Sequence, residues 1–169
     1  MVGVFTGSIK KTDFPITGAS MPRVTPEQLA SLNEELDKIT ATPELRQKLG
    51  FELLKWLLLE NPDFMKFYRP IRSMTLPQAL ESDYLMKMAP SYADALVAIV
   101  KGYSRDEEFM GVIANLAEIH KNHGITLSHF TSVVPVFTNT MASFLKTDKN
   151  KETMQTILSE ALPMIGKRL

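Results

Sequence analysis

Apart from methionine thioethers, three histidines are the soft or borderline metal donors of this 169-residue chain, which has no cysteine. Two of them, His120 and His123, fall in "NLAEIHKNHGI" (115–125), and His129 follows closely. His120 continues an apolar stripe from Leu116 at the point where a helix is about to end. An imidazole on an apolar face must satisfy both ring nitrogens. One chemistry that does so is a core histidine bonded to a backbone carbonyl and a water. Another is an axial metal ligand whose second nitrogen is held by a carbonyl of its own helix. A zinc pair with His123 is the weakest of the three, because Glu118 points elsewhere on the helical wheel and two ligands are missing.

Other chemistries are excluded by inspection. Without cysteine there are no disulfides, thiolate sites or cysteine nucleophiles. P-loop, dinucleotide-binding glycine pattern, nucleophile-elbow serine, EF-hand loop and HExxH helix are all missing. Nineteen basic residues balance nineteen acidic ones, so the global charge favours neither nucleic acid nor an anionic membrane, and it leaves a homodimer electrostatically unopposed. Glu107, Glu108 and Glu118 read as solvated helix faces rather than paired carboxylates in a cleft, which argues against a conventional acid–base enzyme.

The elements that must position the histidines are helical. Thr25-Pro26-Glu27-Gln28 carries the cap, the first-turn proline and the reciprocal Gln of a helix start, and Thr42-Pro43-Glu44 repeats the device. Helices are expected to about Ile39 and through Leu45, Leu49, Leu53, Trp56 and Leu57 to "ENPDF". One-turn segments follow in "DFMKFYRP" and "LPQALESDYL". Leu85, Met88, Tyr92, Leu96, Ile99 and Tyr103 mark one face of a long helix. Asp106 through His123 marks another, with Gly124 as terminator. The last two span about 127–145 and 150–166, with Pro135 and Pro163 expected to kink or break them. No stretch combines alternating polarity with hairpin turns, so the fold class is all-α. Residues 1–24 mix Gly, Pro, Ser and Thr without a period and read as an irregular N-terminal arm, leaving 25–169 as one domain. The apolar runs are too short to span a membrane, and the start of the chain resembles neither a signal peptide nor a myristoylation site, so the expected location is cytoplasmic.

Three segments together resemble the globin family. "NLAEIHKNHGI" is similar to the stretch that carries the proximal histidine: a leucine, a small residue, two variable positions, the histidine, then a short loop. "GFELLKWLLLENPDFMKFY" (50–68) is similar to the globin helix that ends in a proline-started turn and delivers an aromatic ring against the haem. "SDYLMKMAPSYADALVAIVKGYSRDEEF" (82–109) resembles the distal helix and its connection, at a spacing that suits invertebrate, nematode-like globins. The resemblance covers about 25–166 and implies a globin fold of about seven to eight helices.

It also implies heme b, iron protoporphyrin IX, as cofactor. His120 would be the proximal iron ligand, with Leu116 one turn before it. His123 would lie near a propionate or in solvent, and His129 at the surface or in packing. Tyr68, six residues after Pro62, or the adjacent Phe67, would pack on the porphyrin. Met88 would stand where His or Gln is usual over the iron, with Tyr92 next inward; a shifted register would bring Ser91 there instead. Leu54 would occupy the buried position at which many nematode globins carry a tyrosine. Met88 then fills space beside the haem or acts as a distal iron ligand, which raises the reduction potential. Pro90 starts or kinks the helix beside it. The expected function is binding of O2, CO or NO for storage, sensing or one-electron redox with a redox partner, rather than bulk oxygen transport. The alternative is a haem-free globin-like module that regulates or scaffolds through protein contacts.

Overall fold

The computed structural model describes residues 24–169, so the expected arm lies, up to Arg23, outside the described residues. The first described helix, α1 (Pro26–Ile39), begins at a reciprocal cap: the Thr25 N–H donates to Gln28 Oε1 at 3.0 Å, and the Gln28 N–H donates to Thr25 Oγ1 at 3.1 Å. Thr42 caps α2 (Pro43–Glu60) through the Leu45 N–H at 3.1 Å. Asn61 and Pro62 end that helix, and two 3-10 turns, Pro62–Phe67 and Arg69–Ile71, carry the chain across the molecule. Then come α3 (Leu76–Leu80), α4 (Asp83–Gly102), α5 (Asp106–His120), α6 (Leu127–Phe144) and α7 (Asp148–Gly166). The described residues contain helices and no strands, which is the all-α class expected. Among them no helix is long and apolar enough to cross a membrane.

The core is assembled mainly where α2 crosses α4 and where α6 lies along α7. Gly50 makes the first crossing possible. A Cβ at that position would fall 1.6 Å from the Ala89 carbonyl oxygen, so the two backbones touch and only glycine fits. This contact fixes the height and rotation of α4, and with them the directions of Met88 and Tyr92 on either side of Ala89.

The expected boundaries need correction in three places. Leu45 and Trp56 do not join the buried face of α2; they are 37% and 41% exposed, and Leu49, Gly50, Leu53, Leu54, Leu57 and Leu58 form that face instead. The fifth helix stops at His120 rather than His123: Lys121 turns to extended backbone, and Asn122 and Gly124 adopt φ of 64° and 78°. These left-handed values suit asparagine and glycine and cannot continue a right-handed helix. His120 and His123 are therefore not one turn apart on a common helix. Finally, Pro90, Pro135 and Pro163 all lie inside continuous helices, so none of them starts or breaks one. At Pro90 the reason is visible. Proline has no N–H to offer the carbonyl four residues back, Met86, and the Gln47 side-chain amide of α2 donates to that carbonyl at 3.0 Å.

Candidate functional site

His120 is the last residue of α5, and its ring Nδ1 lies 2.6 Å from the Leu116 carbonyl oxygen. A carbonyl can only accept, so Nδ1 carries the proton and Nε2 is left with its lone pair. Phe130 of α6 stands edge-to-face against the imidazole, centroid to centroid 5.1 Å at 79°, and fixes its plane. The ring borders a cleft of about 260 Å³.

The walls of this cleft come from four parts of the fold. Ile119, His120, His123 and Ile125 supply one side, from the end of α5 and the loop after it. Tyr84, Met88 and Tyr92 face it from α4, and Leu57, Phe64, Phe67 and Tyr68 close it from α2 and the turns that follow. His129, Phe130, Val133 and Phe137 of α6 form the floor. Because α4 runs unbroken through Pro90, Met88 and Tyr92 fall four residues apart on one face. Opposite them Tyr68 sits at the end of the first 3-10 turn, and its hydroxyl oxygen lies 2.5 Å from that of Tyr92. Burial pushes the Tyr68 phenol up to about 12, an effect its bond to Tyr92 partly offsets. Burial likewise drives Tyr92 well above its ordinary value. Both phenols therefore keep their protons throughout the neutral range.

Of the residues singled out in the sequence, His120, Met88, Tyr92, Tyr68 and Phe67 all border this one cleft. Leu116 contributes through its backbone carbonyl. Leu54 is fully buried and lies outside the cleft lining. His129 packs as expected, and it also borders the cleft. Its Nδ1 accepts from the Thr126 N–H at 2.9 Å, and its ring stands edge-on to Phe64 and Phe67 at 5.3 and 5.1 Å. The signal was present in the sequence: Thr126 and His129 have the spacing of a reciprocal helix cap, with histidine in place of glutamine. Tyr84, on the first turn of α4, was the polar lining residue that sequence reasoning overlooked.

A groove with more room, about 510 Å³, runs between α2 and α6 past Trp56, Asn61, Asn139 and Thr140. It contains no histidine, so chemistry rather than size points to the first cleft. Among the described residues no group of three His, Cys, Asp or Glu could hold a metal ion. Any metal in the cleft must therefore bring most of its own ligands, as the iron of a tetrapyrrole does.

A family model for globins matches residues 52–165. The chain belongs to the globin family. A curated relative named globin, from Isoparorchis hypselobagri, is 23% identical over 147 residues, covering 86% of this chain and 99% of its own length. The match to the family includes every wall of the cleft, and the fold of this globin is the one that the resemblance implied.

The cleft also suits the cofactor typical of globins. Of the three histidines that border it, His120 has its Nδ1 held by a carbonyl and its Nε2 lone pair free, and the remaining walls are mainly aromatic and aliphatic. The space of about 260 Å³ is slightly below the ~300–1,000 Å³ of common small-molecule sites, so a flat macrocycle would fill it and extend past the exposed rim at Ile119 and His123.

Proposed function

We propose that this globin binds b-type haem through His120 Nε2 and takes small gaseous ligands such as O2, CO or NO on the side bordered by Met88 and Tyr92. The observation that carries this reading is the 2.6 Å bond from His120 Nδ1 to the Leu116 carbonyl, which fixes the tautomer and leaves Nε2 as the ligating atom. When bound, the cofactor supplies an iron that can coordinate a diatomic molecule or exchange one electron.

The remaining work belongs to side chains. Phe130 holds the imidazole plane, and Phe67 and Tyr68 wedge the cleft from the turn side. Met88, half-buried against the core, fills space with a flexible thioether and leaves the distal position open. Phe137 packs edge-on against Tyr92, ring centroids 6.5 Å apart, and lines the cleft from α6. With no distal histidine and one pair of phenols, the cleft is suited to storage, sensing or one-electron redox rather than bulk transport.

The test is a haem titration of the full chain followed by its absorption spectrum. A Soret band that saturates at one haem per chain is the expected result. No band after supplementation would instead support the haem-free interaction module.

A further inference from the structure

The groove between α2 and α6 shares no lining residue with the cleft beside His120. Its volume of about 510 Å³ lies within the ~300–1,000 Å³ of small-molecule sites. What it can recognise follows from where its protons point. Ser132 Oγ donates to the His129 carbonyl at 2.8 Å, Thr140 Oγ1 to the Val136 carbonyl at 2.8 Å, and Ser143 Oγ to the Thr140 carbonyl at 2.6 Å. Each hydroxyl proton is held by its own helix, and the oxygen keeps only lone pairs for an incoming group. Asn61 follows the same pattern: its Nδ2 donates to the Leu57 carbonyl at 3.3 Å, and its Oδ1 stays open. Glu60 adds a negative charge, exposed at the groove edge, and among the described residues it makes no ion pair. Lys55 does not neutralise it, because its ammonium is bound to Glu52 at 3.1 Å, 5.5 Å from the Trp56 ring centroid. The side-chain donors that remain in the lining, the amides of Asn61 and Asn139 and the Trp56 N–H, are uncharged. Apolar surface comes from Trp56, 41% exposed, with Pro135 and Val136.

We propose that this groove is a second binding site, for a small organic cation that joins a protonated amine to a flat apolar body. An ammonium has three protons to give and no lone pair, so it matches a lining whose hydroxyls accept and whose one charge is the Glu60 carboxylate. The apolar body lies on the indole and Pro135. A carboxylate of the same shape meets lone pairs and a like charge, and is rejected. A neutral alcohol keeps the apolar contact and loses the charge-assisted bonds. The site stands apart from the haem reading, since no residue is common to the two.

Trp56 is the only tryptophan of the chain, so its indole N–H gives one reporter signal in the proton–nitrogen NMR spectrum of the full-length protein. Phenethylammonium at neutral pH should move that signal to saturation with a Kd of about 1 mM or below. Phenethyl alcohol should bind about tenfold more weakly, and phenylpropionate should leave the signal in place. Glu60→Gln should weaken phenethylammonium about three- to tenfold. Trp56→Leu, followed by calorimetry, should weaken it about tenfold or more. Both side chains are exposed, so neither substitution disturbs the core. An alcohol that binds as tightly as the amine, or a Glu60→Gln protein with unchanged affinity, overturns the selection for charge. A signal that stays put up to about 10 mM phenethylammonium overturns the site itself. If the indole signal moves with protein concentration alone, a second copy covers the groove and the small-cation site fails.

Discussion

The two sides of the cleft are built by different rules. On the His120 side the chemistry is local: the ligating ring, the carbonyl that orients it and the helix end that exposes it lie within five consecutive residues, 116–120. On the Tyr92 side nothing is local. The phenol pair joins residues 24 apart, and its geometry depends on Gly50 letting α2 touch α4, on Gln47 satisfying the carbonyl left by Pro90, and on two 3-10 turns delivering Tyr68. A concentrated site should fail completely through one residue. A distributed one should weaken by degrees.

The sharpest break in that comparison is His120→Ala. Haem should be lost on gel filtration or on transfer to a competing apoprotein, and added imidazole should restore the spectrum by filling the vacancy. If His123→Ala loses haem and His120→Ala does not, the concentrated side has been placed on the wrong histidine.

Next in size is Gly50→Ala. The added methyl meets a backbone carbonyl that cannot swing away, so denaturant unfolding should show a loss at or above the ~1–3 kcal/mol of ordinary overpacking. A change under about 0.5 kcal/mol would mean that α4 is free to shift and that the crossing does not set the distal geometry.

A smaller effect is expected from alkali. The Tyr68 phenol ionises near 12 in the folded chain against an ordinary value of 10.0, so the unfolded chain gives up its proton first as pH rises. The contribution is fully present below about pH 10 and is lost progressively towards about pH 12. Urea unfolding at stepped pH should show this decline, and the double Tyr68→Phe/Tyr92→Phe variant should show less of it. Identical curves would mean that burial does not hold these phenols neutral.

Gln47→Ala should cost least, about 1 kcal/mol or below, because water can reach the Met86 carbonyl in place of the amide. In a Pro90→Ala background, where the backbone N–H returns, the same substitution should be close to neutral.

The same contrast explains what could be read from the sequence. The helix starts were legible because capping is settled within four residues: Thr25 with Gln28, Thr42 with Leu45. The placement of His120 beside the Leu116 carbonyl was legible because four residues make one helical turn. Trp56 was misplaced because a helix that is apolar on most sides gives periodicity little to separate, and the burial of α2 is decided by where Gly50 must sit. The end of α5 was misjudged by three residues because Asn122, like Gly124, takes up left-handed backbone, which asparagine permits but does not announce. Met88, Tyr92 and Tyr68 could each be assigned to the cleft by analogy, whereas the meeting of two hydroxyls depends on the turns at 62–71, whose path no local pattern encodes.

The central claim is that one side of the cleft supplies a single ligand nitrogen and the other supplies none, only a phenol donor. The absorption spectrum of the ferrous, haem-loaded protein under argon tests it most directly. A high-spin, five-coordinate haem that takes up CO without first displacing a protein ligand is expected. A low-spin, six-coordinate ferrous spectrum that becomes high-spin in Met88→Leu would contradict it, by showing that the Met88 sulfur closes the distal side.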